Sequence, residues 1–259
     1  AHIASEVLGI VLTKRSNGAA AEEDLAGFPY HSLDTYLPRL VRAGYRVAIC
    51  EQLEDPKLAK TIVKRGVTEL VTPGVVFTDN VLSQKENNFL ATCYSQNDVY
   101  GLALLDVSTG DFLATQGSSD FIKRILDSYH PTEVLLSKEQ KDQFIELFGN
   151  YPVFTFEKWI FQFDFARDKL IEQFETDNLK GFGIEDMPIA QICAGVALYY
   201  ITTTQQKHLS NLIAISRIDN DDYMWLDKFT ISNLELLTSM HPEGVSLFKI
   251  MDQCNTPMG

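Results

Sequence analysis

Three aspartates in the middle of the chain have the type and spacing for metal-dependent chemistry. Asp106 and Asp111 flank a Ser-Thr-Gly turn, and Asp127 follows in a predicted helix. Clustered carboxylates can hold two metal ions that cleave a phosphodiester bond. Aspartate is also common beside tight turns for structural reasons, and no histidine or further acid completes a ligand set. The pattern leaves a metal-dependent nuclease as an alternative and favours a structural role.

A second polar group, formed by Tyr30, His31 and Ser32, stands where a helix is predicted to begin. Apolar residues recur at helical spacing after it, at Leu33, Tyr36, Leu37, Leu40 and Val41. Ser32 can cap this helix, which is predicted over Leu33–Ala43, and Gly44 can end it. The outward-pointing amides of a helix N-terminus attract phosphate, so these residues are candidates for an anion contact.

The distribution of charge decides which part of the chain could meet a nucleic acid. The net charge is −13, which opposes binding by the molecule as a whole. Residues 1–76, however, contain nine Lys+Arg and nine Asp+Glu, so the whole acidic excess lies beyond them. Phosphate contacts depend on basic side chains, and the opening segment is therefore the candidate.

The elements predicted for this opening segment alternate between strand and helix. A strand over Gly9–Thr13 ends at Lys14–Arg15, and Ser16–Ala26 is predicted as a loop. After the first helix come a strand over Tyr45–Cys50, a helix over Lys57–Arg65 that begins behind Pro56, and a strand over Val67–Thr72. We assign residues 1–76 to a first domain and 77–85 to a linker.

A different element order is predicted for residues 86–208, which we assign to a second domain. It runs three strands, helix, strand, helix, strand, which is the order of an RNase H-like fold. The strands are Asn88–Ser95, Val99–Asp106, Asp111–Thr115, Glu133–Leu136 and Val153–Phe156, and the helices Phe121–Tyr129 and Gln140–Phe148. Helices over Ala166–Glu175 and from Pro188 to about Gln206 follow. Residues 209–259 are expected to begin a helical domain, with a helix over Lys228–Met240 that Asp227 could cap.

Three further patterns limit the function. The four cysteines lie far apart without a C-x-x-C pair, which is typical of reduced cytosolic thiols and not of a zinc site or a disulfide framework. No apolar run reaches the length of about 18 residues that a membrane helix needs. The phosphate-binding pattern G-x-x-x-x-G-K-[ST] is absent from the sequence.

Several long strings resemble the MutS family of bacterial DNA mismatch repair proteins. They occur in family order over essentially the whole chain. The strings are LTKR at 12–15, GFPYHSLDTYLPRLV at 27–41, GYRVAICEQLEDP at 44–56, VKRGVTELVTPG at 63–74, ENNFLA at 86–91, YGLALLDVSTGDF at 100–112, LKGFGIED at 179–186 and NLELL at 233–237. The resemblance implies an α/β multidomain chain: a partial, mixed-sheet mismatch-recognition domain, an RNase H-like connector domain and the start of a helical core or lever domain.

The resemblance also implies which residues meet DNA. Lys14 and Arg15 correspond to a basic pair near the DNA backbone, and Tyr30, His31 and Ser32 would lie near the groove. The acids at Glu22–Asp24 stand in the same predicted loop and would oppose such a contact. The family's mismatch-reading Phe-x-Glu motif is expected upstream of this chain, because none occurs before Ala26.

For the longer protein, the resemblance implies ATP and Mg²⁺ as cofactors, with neither cofactor, nor catalysis, expected from these residues. The implied partners are mismatched double-stranded DNA, a MutL-type protein that meets the connector, and a second copy in a homodimer. The implied location is the bacterial cytoplasm, in association with the nucleoid. A diverged interaction module that binds no DNA is the remaining alternative.

Overall fold

A computed structural model describes residues 1–17, 20–54, 63–75, 88–204, 211–219, 226, 228–239, 241 and 244–252. We call residues 1–75 the first unit and residues 88–219 the second unit. The first unit contains two two-stranded sheets, and the second contains one six-stranded mixed sheet between helices.

The elements of the first unit are short. They are α1 (His2–Leu8), β1 (Leu12–Asn17), β2 (Ala20–Ala26), a 3₁₀ turn (Tyr30–Ser32), α2 (Leu33–Arg42), β3 (Val47–Gln52) and β4 (Arg65–Val71). Strands β1 and β2 form one antiparallel pair, and β3 and β4 form the other. The apolar stripe of α2 packs Leu37 and Val41 against Val71, which makes a small core.

Helix α2 ends as its glycine predicts. Gly44 has a φ of 86°, and its amide donates to the Val41 carbonyl, while the Tyr45 amide donates to the Leu40 carbonyl. These two bonds form a Schellman motif, which needs a left-handed residue after the helix. Ser32 stands at the N-cap position, but its side chain makes no capping hydrogen bond, so that predicted cap is wrong.

The prediction of a loop over Ser16–Ala26 is also wrong, because β2 occupies most of it. Lys14 lies opposite Asp24 and Arg15 opposite Glu23 in the antiparallel register. The described ion pair between the two strands joins Lys14 to Glu22. Local sequence patterns do not predict the strand AAEEDLA, because its acidic residues leave no apolar alternation.

The second unit is built on a strand meander that continues into parallel strands. Its strands are β5 (Leu90–Gln96), β6 (Val99–Asp106), β7 (Asp111–Gly117), β8 (Glu133–Ser137), β9 (Val153–Phe156) and β10 (Ser216–Arg217). The order across the sheet is β10-β7-β6-β5-β8-β9. Strands β5, β6 and β7 are antiparallel neighbours, whereas β8 runs parallel to β5, β9 to β8 and β10 to β7.

Helices cover both faces of this sheet. They are α3 (Ser119–Tyr129), α4 (Lys141–Phe148), α5 (Phe163–Phe174) and α6 (Pro188–Thr204). In β6, Leu102 and Leu104 belong to the same core cluster as residues of α3 and α4, while Ala103 and Leu105 share the other core cluster with residues of α6. Since successive strand residues point to opposite faces, the continuous apolar run of β6 indicates burial on both sides.

Helix α6 is buried along nearly all of its length, and α5 crosses it closely. A Cβ at Gly195 would lie 2.3 Å from the Ala166 carbonyl oxygen. Only glycine permits this approach. Buried Gln191 donates to the carbonyls of Ile184 and Glu185 and accepts from Arg167, which also bonds Glu185.

The last described elements are short helices, α7 (Lys228–Asn233) and α8 (Leu247–Met251). The helix predicted over Lys228–Met240 is therefore too long, because turns follow Asn233. Most of the helix predicted over Lys57–Arg65 lies outside the described residues, as does Asp227, and Arg65 belongs to β4. The domain boundaries at 76, 86 and 208 stay predictions.

Candidate nucleic-acid interface

The hairpin of β1 and β2 carries the first predicted contact residues. Lys14 Nζ lies 3.2 Å from Glu22 Oε2, and both side chains are about two-thirds exposed. Asp24 Oδ2 is 2.7 Å from His2 Nε2 of α1. An exposed ion pair is weak, so Lys14 can exchange Glu22 for a phosphate at little cost. The side chain of Arg15 lies outside the described part of the structure; its backbone pairs with Glu23.

The three other predicted contact residues lie in the 3₁₀ turn ahead of α2. Tyr30 is 77% exposed, and its hydroxyl donates to Glu51 Oε1 at 3.3 Å. The negative charge of Glu51 raises the pKa of Tyr30, so the phenol remains a hydrogen-bond donor at neutral pH. His31 is exposed, and Ser32 is half-buried. Asp34 in the first turn of α2 opposes an anion at this helix N-terminus.

The structure therefore places the five predicted residues on two separate elements, the hairpin and the turn. Each element brings its own acid to the predicted contact: Glu22 beside Lys14, and Glu51 beside Tyr30. The described contacts do not join the two groups into one cluster. Lys14, Tyr30 and His31 are exposed on the first unit.

A second Lys-Arg pair was not predicted as a site. Lys64 and Arg65 are exposed at the start of β4, where Arg65 lies opposite Gln52. Sequence patterns assigned Arg65 to a helix, although the pair repeats the Lys-Arg spacing of residues 14 and 15. Each of the two small sheets thus carries one basic pair, which adds positive charge to the surface of the first unit.

The carboxylates that suggested a nuclease have structural roles instead. Asp106 is buried, and its oxygens accept hydrogen bonds from the amides of Asn88 and Ser108 and from the Ser108 hydroxyl. Asp111 is exposed and accepts from the Thr109 hydroxyl. Asp127 lies beside the Tyr151 hydroxyl and raises its pKa, after burial, which has the larger effect. Among the described residues, no group of three or more His, Cys, Asp and Glu side chains could hold a metal ion.

Family models match both units of the chain. Residues 1–80 match the model described as MutS domain I, and residues 88–213 match the one described as MutS domain II. The chain belongs to the MutS family. The resemblance seen in the sequence strings is thereby confirmed.

Curated MutS relatives match almost the entire chain. It is 55% identical over 257 residues to the DNA mismatch repair protein MutS of Cytophaga hutchinsonii. It is 51% identical over 258 residues to the protein of that name from Parabacteroides distasonis. Each alignment covers 99% of this chain and 30% of the relative. The chain therefore spans somewhat less than a third of the length of these MutS proteins.

Within the ranges that the structure describes, no helix is both long and apolar enough to cross a bilayer. The apolar α6 has 17 residues and lies inside the second unit, where its side chains fill the core.

Proposed function

We propose that this chain is the part of a DNA mismatch repair protein that contacts the DNA backbone and connects that contact to the rest of the molecule. The carrying observation is the exposure of Lys14, Lys64 and Arg65 on a first unit whose charges balance, in a chain whose excess acid all lies beyond that unit. Backbone contacts position a protein on a duplex without reading its sequence. The names of the relatives support mismatched double-stranded DNA as the ligand.

In the hairpin, a DNA phosphate would compete with the carboxylate that pairs with Lys14. Lys14 is held by Glu22 in the absence of DNA, and Arg15 lies opposite Glu23. Phosphate would replace the carboxylate as the partner of the lysine. The acids therefore weaken binding by competition and do not prevent it, because exposed ion pairs contribute little free energy.

The second unit, in this proposal, is an RNase H-like connector without nuclease activity. Its support is the strand order β7-β6-β5-β8-β9 with three antiparallel strands followed by two parallel ones. The hydrogen bonds that occupy Asp106 support the loss of metal chemistry. We further propose that this unit meets a MutL-type partner, and that residues 209–259 begin a helical core domain.

The remaining functions belong to a longer protein in this proposal. ATP and Mg²⁺ bind outside these 259 residues, whose sequence lacks the phosphate-binding pattern. The same holds for the Phe-x-Glu reader and the homodimer contact. Because the ligand is chromosomal DNA, we place the protein with the nucleoid in the bacterial cytoplasm.

Fluorescence anisotropy of the 259-residue chain with matched and mismatched duplexes tests the DNA contact. We expect binding at low ionic strength whose logarithm falls with the logarithm of salt concentration. Lys14→Ala and Arg15→Ala should weaken binding equally for both duplexes and reduce the salt slope by about one unit each. Glu22→Gln should strengthen it, since Lys14 loses its competing partner.

The matched control is Lys123→Ala, which removes the same charge from an exposed position on α3 of the second unit. It should leave the affinity unchanged. Equal losses in Lys14→Ala and Lys123→Ala would show that the first unit has no special role. No salt-sensitive binding at all would favour the interaction module that binds no DNA.

A further inference from the structure

The end of the first unit is anchored in the second unit through a four-residue turn, Thr72–Val75. The Pro73 carbonyl accepts hydrogen bonds from Asn88 Nδ2 at 2.9 Å and Thr132 Oγ1 at 3.1 Å. Val75 is fully buried and belongs to the core cluster of the second unit. A Cβ at Gly74 would lie 2.8 Å from Leu90 Cδ1 and 3.0 Å from Glu133 Cβ, so a larger residue would have to displace side chains of the second unit.

A buried carboxylate receives this turn. Glu133, the first residue of β8, is 2% exposed. Its Oε2 accepts from the Gly74 amide at 3.1 Å, and its Oε1 accepts from the Tyr200 hydroxyl of α6 at 2.8 Å. Burial and the charge of Glu133 raise the pKa of Tyr200 well above its ordinary value, so the phenol keeps its proton and donates.

Arg46 of the first unit packs against two aromatic rings of the second unit, one of which is Tyr200. The guanidinium carbon of Arg46, just before β3, lies 3.7 Å from the ring centre of Phe154 and 5.5 Å from that of Tyr200. Arg46 Nε is buried without a hydrogen-bond partner. A cation held over aromatic faces makes a favourable cation–π interaction. The side chain of Arg46 therefore joins the first unit to the second.

These contacts connect elements of the first unit with elements of the second unit. Arg46 and the Thr72–Val75 turn flank the β3–β4 sheet of the first unit, while Glu133, Phe154 and Tyr200 belong to β8, β9 and α6 of the second. Buried polar groups are costly when a partner leaves. Separation of the units would remove a donor from Glu133 and uncover Val75, so the contact set favours one relative orientation over others.

We propose that Arg46, Glu133, Tyr200 and the Thr72–Val75 turn form an interdomain latch that holds the first unit in one orientation on the second. The Tyr200 hydroxyl and the Gly74 amide donate to the same carboxylate, that of Glu133. A displacement of the first unit therefore changes the hydrogen bonding of Tyr200 in α6. It requires no DNA and is independent of the proposed nucleic-acid contact.

Distance measurement between two spin labels tests the latch. One label goes on exposed Cys50 in β3 and the other on Glu146→Cys in α4, in a Cys254→Ser background. Cys93 and Cys193 are buried; burial raises the pKa of the Cys93 thiol to about 12 and that of Cys193 well above its ordinary value, so both stay unlabelled. The parent chain should give one narrow distance distribution.

Arg46→Ala and Tyr200→Phe should each broaden that distribution to roughly twice its width, since weakly joined domains move relative to one another by default. Each variant has a matched control. Arg39→Ala removes an arginine that stacks on Tyr36 within α2, and Tyr199→Phe removes the neighbouring hydroxyl on α6. Both controls should keep the narrow distribution.

Unchanged distributions in Arg46→Ala and Tyr200→Phe would overturn the latch. Broadening in the controls to the same extent would overturn it as well, since the effect would not be specific to the junction. Arg46→Ala lies in the first unit and leaves the core of the second intact, so its result stands even if Tyr200→Phe disturbs the packing of α6.

Discussion

The two units of this chain differ in the size of the apolar core that stabilises each of them. Among the described residues of the first unit, the core cluster has three buried apolar members with three more packed against them. The second has two extensive cores, one on each face of its sheet. Since stability scales with buried apolar area, the unit that carries the DNA candidates depends on the unit that does not.

The difference teaches where a binding surface can be placed in such a chain. Lys14 and Glu22 of hairpin β1–β2 and Tyr30 and His31 of the following turn are exposed, because few apolar contacts compete for them. The second unit uses its polar side chains internally, as Asp106 and Gln191 show. A small unit docked on a large one can therefore present charge without having to be stable alone.

The largest expected effect comes from deleting a core side chain in each unit. Leu104→Ala in the second unit should cost roughly 3–5 kcal/mol of unfolding free energy, and Leu37→Ala in the first roughly 2–3 kcal/mol. Hydrogen exchange should show loss of protection throughout the chain for Leu104→Ala and only in the first unit for Leu37→Ala. Equal loss in both units for Leu37→Ala would show that they unfold as one body.

A smaller effect is expected from a methyl group between α5 and α6. Gly195→Ala should destabilise the second unit by about 1–3 kcal/mol, because the added Cβ meets the Ala166 carbonyl and overpacking costs that much. Gly181→Ala is the control, since a Cβ there meets nothing within 4 Å. Urea unfolding of both variants measures the difference, and equal midpoints would contradict the close helix crossing.

The smallest effect concerns the pH dependence of the second unit. Hydrogen bonds from Arg167 and the Leu179 amide lower the pKa of Glu185 below its ordinary value of 4.5. A lowered pKa in the folded state means stability that is complete above pH 4.5 and is lost as the pH falls through the folded value. Below pH 4.5, the urea midpoint of unfolding should therefore depend less on pH in Glu185→Gln than in the parent chain.

Glu172→Gln is the control for that experiment. Lys169 lowers the pKa of Glu172, but this ion pair lies on the outer surface of α5, where solvent screens it. Its removal should change the pH dependence of the urea midpoint below pH 4.5 less than Glu185→Gln does. The opposite order would show that the Arg167–Glu185 bond does not link α5 to the segment before α6.

Much of the fold could be predicted from the sequence, and the site only in outline. The second unit's strands were predicted within a few residues, because β6 and β9 are apolar runs bounded by turn residues. Strand β2 was missed because its acidic residues leave no apolar alternation, and its pairing with β1 is a partnership that no local pattern shows. Lys14, Tyr30 and His31 are exposed as a contact requires, but their role stays a prediction.

By itself, the sequence determined the family, the strand meander of the second unit and the separation of neutral from acidic segments, since all three are local or additive properties. Tertiary structure alone decided the partners of the isolated charges. The sequence placed Arg46 and Glu133 in predicted strands but named no partner for either, whereas in the structure Arg46 stacks on Phe154 and Glu133 is buried against Tyr200. Their environments depend on residues more than 60 positions away, and side-chain spacing contains no information at that range.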